Sequence, residues 1–341
     1  MGARIQEVRG TDEEQEEIAA FLAGFVQRGG LERPRPGDRD ESVWARRLRW
    51  WWNENPMCGE DDPRGFMLRA EDETVVGFSG FIPVDYAVDG EIVPTLIATT
   101  FFVEESHRDS VMGVLMKIRA LGRTHQIIDG SPSEKMRELL DRIGFSRRPE
   151  RFQYFFPLRR LGGGLSRALL QRFGWSFPVD RAPAEGAYIA TSPDEVETIP
   201  ELRDGKLRRR LTIESLSWST SVGSEPRDFF GLCDAEGTLR AYAIGIYKEK
   251  TGLTACLLMD FADLSGDGSA WPELLYRLIQ APDESGLAPG TGLLAWSVLE
   301  DEDRPSASGL RRDSILHFSL PSSLTDCPRA SVPFESDLPL L

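Results

Sequence analysis

The sequence predicts an α/β protein built on mixed sheets and divided into two domains. At 341 residues the chain exceeds the usual size of a single-core domain. Within residues 1–160 the apolar spacing alternates between strand and helix periods, in the order β α α β β β α β α β. After the glycine-rich break LGGG at 161–164, residues 165–320 repeat the tail of that order with different residues. Prolines at 321, 328, 333 and 339 then predict a tail over 321–341 that wraps the surface without long regular elements.

The first strand is ARIQEVRG, with weak alternation. It leads into TDEEQEEIAAFLAGFVQ, where Thr11 and Glu14 have the spacing of a capping box and start an amphipathic helix. Gly29 and Gly30 end it, LERPRPGDRD reads as a loop, and DESVWARRLRWWW forms a second helix ending near Asn55 and Pro56. The apolar runs from Gly65 to Ser106 are broken at Glu71–Glu73 and at Asp89–Gly90, which makes them a three-stranded antiparallel meander. A helix, VMGVLMKIRALGRTH, a short strand, QIIDG, a helix, SEKMRELLDRIGF, and a final strand, RFQYFFPLR, complete the domain. Antiparallel strands followed by a helical crossover imply a mixed sheet.

In the second half LRRRLTIESLSWST reads as a helix and DFFGLCDAEGTLRAYAIGIYKE as a hairpin turning at Glu236–Gly237. TACLLMDFADL is the next strand, AWPELLYRLIQ a helix and TGLLAWSVLE a strand. The order makes this half a diverged copy of the first.

Charge narrows the partners. With 40 Lys and Arg against 55 Asp and Glu, the net charge is −15, which argues against nucleic acid or another phosphate-rich partner. The longest apolar run, TLIATTFFV from Thr95 to Val103, falls well short of the roughly 18 residues of a membrane span. The N-terminus lacks the basic start and apolar middle of a signal peptide, so a cytoplasmic location is expected. Cys58, Cys233, Cys256 and Cys327 have no paired spacing, and with three histidines there is no HExxH, no nucleophile elbow and no Walker loop.

The informative segment is FFVEESHRDSVMGVLMKIRAL, a buried strand running into a helix through a short turn. A helix N-terminus presents free N–H groups and the positive end of the macrodipole, so such a junction can hold a diphosphate, with Arg108 as a forked cation. The residues alone also allow an ordinary joint with Arg108 in solvent.

With this element order, the strand end V-x-x-x-x-R at Val103 to Arg108 and the x-x-V-x-G at Val111 to Gly113, the first domain resembles the GNAT (Gcn5-related) N-acetyltransferase superfamily. In that family the turn reads Arg or Gln, two residues, Gly, one residue, then Gly or Ala. Arg108 and Gly113 match, and Val111 replaces the first glycine. The DRIGF run, the LRWWWNENP stretch and the later RRLTIESLSWST and LLMDF segments are similar to bacterial proteins with two tandem GNAT-like domains. The second copy carries LSGDGSAW where the turn would stand, so it is read as degenerate and not coenzyme-binding.

The resemblance implies acetyl-CoA or another acyl-CoA as co-substrate, no metal, and a small-molecule amine or amino sugar as acceptor. Phe102 and Val103 would hold the pantetheine, and Arg108, Ser110, Val111, Met112 and Gly113 the diphosphate. Glu104, Glu105 and Asp129 are candidate bases, with His107 a further titratable group. Leu140 stands where the family's acidic tyrosine usually lies, which leaves Tyr154 and Tyr86 as substitutes. Two alternatives stay open: a catalytically inactive tandem GNAT binding module, motivated by Val111 and Leu140, and a Fem-like aminoacyl-tRNA-dependent ligase. The ligase would need a basic patch around Arg208–Arg210 or Arg147–Arg151, against the net charge.

Overall fold

The computed structural model describes residues 3–31, 34, 37–130, 132–148, 152–158, 185–221, 227–250, 252–298 and 316–319. The expected break at 161–164 and the tail at 321–341 lie outside these residues.

The first strand, β1 (Arg4–Glu7), runs into α1 (Asp12–Gln27). Its capping box forms: the Thr11 hydroxyl accepts from the Glu14 N–H at 3.3 Å and the Glu14 carboxylate accepts from the Thr11 N–H at 3.4 Å, while also accepting from the N–H groups of Arg9 and Gly10, both at 2.8 Å. Helix α2 (Glu41–Trp52) starts at Asp40, whose side chain accepts from the Ser42 N–H. The meander follows as β2 (Gly65–Arg69), β3 (Val75–Val88) and β4 (Glu91–Val103). The β3–β4 turn has positive φ at both Asp89 (49°) and Gly90 (91°), the conformation that Asp-Gly supplies for a tight hairpin.

A 3₁₀ turn (Glu105–Ser110) leads from β4 into α3 (Val111–Leu121), then come β5 (Gln126–Asp129), α4 (Glu134–Arg142) and β6 (Ser146–Arg148). Strands β2, β3 and β4 are antiparallel, whereas β4 and β5 are parallel across the α3 crossover, so the sheet is mixed. Its two faces are both covered. Trp44, Trp51, Ile18 and Leu22 of α1 and α2 pack on Phe78, Ile82, Ile97 and Ile128, while Val114, Leu115, Ile118 and Leu140 of α3 and α4 pack on Phe81, Leu96 and Ile127. The alternation of side chains along each strand produces this division.

The later elements are β7 (Phe152–Pro157), β8 (Tyr188–Ala190), β9 (Arg208–Arg209), α5 (Ile213–Thr220), β10 (Arg227–Cys233), β11 (Leu239–Lys250), β12 (Leu253–Asp263), α6 (Ala270–Gln280), β13 (Thr291–Val298) and β14 (Leu316–Ser319). The stretch LRRRLTIESLSWST is only in part a helix. Arg208 and Arg209 form a strand paired with Tyr86 and Ala87 of β3, and α5 begins after Thr212, which forms its own capping box with Ser215.

The second sheet has the order β7-β13-β12-β11-β10-β8, and the first β1-β2-β3-β4-β5-β14-β6 with β9 beside β3. The expectation that RFQYFFPLR closes the first sheet is therefore corrected: β7 pairs antiparallel with β13, Tyr154 opposite Trp296. In exchange β14 pairs antiparallel with β5, His317 opposite Asp129. The sheets thus do not follow the division of the chain at 160, because each half sends a strand to the other's sheet. An edge strand offers the same ladder of N–H and C=O groups to any extended segment, so sequence order does not decide which sheet a strand joins.

Candidate active site

The site is set by an irregularity in β4. Thr99 pairs with Gly80 and Phe102 with Phe78, so Thr100 and Phe101 face the single residue Ser79, and Thr100 has a φ of 45°. The parallel pairing with β5 stops immediately before this bulge, at Ala98 opposite Asp129. Beyond it β4 continues to Val103 with β3 as its partner. The Glu104 N–H donates to the Val76 carbonyl, so by antiparallel alternation Phe102 is also turned to β3, and the N–H and C=O of Val103 face the side β5 has left. An extended ligand with an amide could pair there.

Helix α3 begins beside this gap, and no described side chain caps its N-terminus. The turn before it is tighter than the sequence suggests. Because the chain enters through a 3₁₀ turn, the Val111 N–H donates to the Arg108 carbonyl and is not free, contrary to expectation. The Val111 side chain, partly buried, packs against the core shared with α3 and α4. Ser110 is tied to the residue preceding β1, its hydroxyl accepting from the Ala3 N–H at 3.2 Å. Met112 is exposed. At Gly113 a Cβ would stand 2.8 Å from Ile5 Cδ1, so this glycine also lets β1 approach the helix. Arg108 is exposed and pairs with Glu105 at 3.3 Å.

The candidate carboxylates do not converge. Glu104 pairs with Arg28, the last cap of α1, at 2.6 Å, and Phe25 of α1 stacks on Phe102 with ring centroids 5.0 Å apart. Glu105 points into solvent beside Arg108. Adjacent residues in a turn leave the backbone in different directions, which separates the two. Asp129 ends β5 at the last paired rung before the gap, on the face that carries α3. His107 lies against Ser106, its Nδ1 2.9 Å from the hydroxyl oxygen.

Tyr86 is wholly buried in the α1–α2 core next to β9. A packed position six residues along β3 from Gly80 removes it from the gap. Tyr154 sits on β7, in the other sheet. Leu140 is a core residue. The Arg208–Arg210 cluster is consumed internally: Arg208 pairs with Asp204, Arg209 with Asp260 and Arg210 with Asp85.

The second half repeats the arrangement with different chemistry. Leu258 pairs with Gly245 and Asp260 with Ile244, leaving Met259 as the extra residue, and the parallel pairing of β12 with β13 ends at Leu258. Here the helix mouth is filled. Asp263, at the end of β12, accepts from the Trp271 N–H of α6 at 2.7 Å and from the Ser265 N–H at 2.8 Å. A carboxylate from the chain itself thus occupies the anion position. Asp260 accepts from Arg209 and, at 3.0 Å, from the Tyr242 hydroxyl. Burial holds the Asp260 carboxyl above the usual carboxylate range against the opposing pull of Arg209, and burial also pushes the Tyr242 hydroxyl well up.

The bulge and the plugged second helix had no advance signal of their own. The adjacent threonines in ATTFF, two hydroxyls within an apolar strand, were the nearest one.

No family model matches the chain, and no curated protein matches it significantly in sequence. Solved structures do match in fold. A GCN5-related N-acetyltransferase from Anabaena variabilis superposes with a TM-score of 0.54 at 10% identity, over 92% of this chain and 72% of that one. Eis1 from Mycobacterium abscessus has a TM-score of 0.54 at 11% identity, covering 94% and 74%. A GCN5-related N-acetyltransferase from Kribbella flavida has a TM-score of 0.51 at 14% identity, covering 93% and 71%. The chain has the GNAT fold.

Proposed function

From that fold we propose that the first half is an acyl-CoA-dependent N-acyltransferase acting on an amine of a small molecule or amino sugar, and that the second half is a diverged copy that does not bind coenzyme. The observation that carries this is the coincidence of the β4 bulge, the end of β4–β5 pairing and an α3 N-terminus that no described side chain caps. Among the described residues the equivalent mouth in the second half is closed by Asp263.

Acyl-CoA supplies an activated acyl carbon as its thioester. Met112, Gly113 and Ser110 would hold the diphosphate at the start of α3, with Arg108 adding charge after release from Glu105. Val103 would pair with the pantetheine amide. An amine of pKa about 10.4 is protonated at neutral pH and must lose a proton before attack. Asp129, on the last β4–β5 rung, would take it, or Glu104 after release from Arg28, and neither Tyr86 nor Leu140 can return a proton to the departing thiolate. That last point favours a second reading, a coenzyme-binding protein without transfer.

Thermal melting with acetyl-CoA and longer acyl-CoAs tests the binding. At 100 times the dissociation constant the stabilisation is about 2.7 kcal/mol. Absence of any shift overturns the proposal. Thiol release with a panel of amines and amino sugars separates the two readings, since a binder without transfer releases none above background.

A further inference from the structure

One residue of the bulge is held in a way that packing does not explain. Thr100 is β-branched and stands at a φ of 45°, a region such residues avoid. It is 6% exposed, yet its hydroxyl has no hydrogen-bond partner. Thr99 beside it is in the same condition. Thr95, earlier on the same strand, behaves as a structural threonine does, donating its hydroxyl to the Val93 carbonyl at 3.0 Å. A buried hydroxyl left unpaired costs stability, as does the backbone conformation, and the two coincide just past the last rung between β4 and β5. Across the ladder Gly80 has no side chain, and a Cβ there would come within 3.2 Å of the Thr100 hydroxyl oxygen. In the second half, where Asp263 closes the helix mouth, the extra residue is Met259, which has no hydroxyl.

We propose that the Thr100 hydroxyl donates a hydrogen bond to the carbonyl oxygen of the acyl-CoA thioester. This rests on the acyl-CoA reading above. Attack by the neutral amine forms the C–N bond, the C–S bond then breaks with its electron pair leaving on the coenzyme thiolate, and the surplus proton on nitrogen passes to that thiolate through solvent. Negative charge gathers on that oxygen between the two events, so a donor fixed there by the backbone favours the transition state over the substrate.

The test compares acetyl-CoA with S-ethyl-CoA, a thioether of the same length without the carbonyl oxygen, by titration calorimetry on the full chain. The unaltered protein binds acetyl-CoA about five- to tenfold more tightly, the ratio of one net hydrogen bond. Thr100→Ser keeps that preference. Thr100→Val binds the two equally, with its affinity for S-ethyl-CoA unchanged. Should valine not tolerate the backbone, Thr100→Gly removes the hydroxyl while accepting the positive φ. A preference retained by the valine or glycine variant overturns the proposal, as does equal binding by the unaltered protein, and in both cases the acyl-CoA reading stands. Failure to bind either ligand overturns both.

Discussion

Trp50 and Trp218 hold each other by reciprocal bonds. The Trp50 indole N–H donates to the Trp218 carbonyl at 3.1 Å and the Trp218 indole N–H to the Trp50 carbonyl at 2.9 Å, with the rings stacked 4.4 Å apart. One lies on α2 and the other on α5, so each half offers the other the same group. Such mutual contacts are the mark of a two-fold interface, here within one chain. The exchange of β7 and β14 has the same reciprocal form. Both contacts couple the folding of the halves.

Removing either ring should therefore be felt across the whole chain. Trp218→Ala is expected to cost about 3–5 kcal/mol, the usual loss for a buried tryptophan. The double-mutant cycle with Trp50→Phe should show a coupling of roughly 1 kcal/mol, read from urea midpoints. Additive losses would mean that the stack contributes only burial.

The buried pair of Arg209 and Asp260 gives a pH signature. Burial raises the folded-state pKa of Asp260, so the protonated form favours folding: its contribution is fully present below the unfolded carboxylate value of about 3.9 and is lost as pH rises through the folded value. Arg209→Met leaves the carboxylate without its counter-charge and is expected to cost about 3–5 kcal/mol at neutral pH. The loss should shrink as pH falls and Asp260 takes up its proton. Denaturation midpoints at pH 5 and pH 8 check the sign.

Gly113 separates packing from coenzyme binding. Gly113→Ala adds a methyl group against the mobile end of Ile5 and gains helix propensity, so stability should stay within about 1 kcal/mol of the unaltered protein. If the glycine also lets a diphosphate approach the helix, the acetyl-CoA-induced rise in melting temperature falls sharply in the same variant.

Asp263 serves as the counterpart test in the second half. Asp263→Ala removes the acceptor of the Trp271 N–H and is expected to cost about 0.5–2 kcal/mol, as for other helix caps. Calorimetric stoichiometry with acetyl-CoA should remain one per chain, because Met259 and the LSGDGSAW turn still differ from the first half. A second equivalent bound by the variant would show that the carboxylate alone closes the site.

Glu14 carries more than its helix. Its carboxylate receives N–H groups from Arg9, Gly10 and Thr11, so Glu14→Ala leaves several donors unpaired, whereas Thr11→Ala loses one acceptor. The first should cost more than the second, whose loss is about 1 kcal/mol. Equal melting temperatures would count against this ordering.

Local chemistry was legible in the sequence. The Thr11–Glu14 box, the Asp89–Gly90 turn, the three meander strands and the helices from Val111 and Glu134 all follow from interactions within a few residues, and the structure has each of them. The strand-to-helix junction after Val103 was located for the same reason. The 3₁₀ entry that occupies the Val111 amide was not, because composition does not distinguish a tight first turn from an open one.

What only the tertiary structure decided depends on partners far away in the chain. The pairing of β7 with β13 and of β14 with β5, the withdrawal of Tyr86 into a core and the capture of Glu104 by Arg28 are choices among many competing surfaces. The bulge at Thr100 belongs with them. A pattern of apolar and polar residues sets which face a side chain takes, whereas the register that strands an extra residue, and leaves its hydroxyl without a partner, exists only once β3, β4 and β5 are side by side.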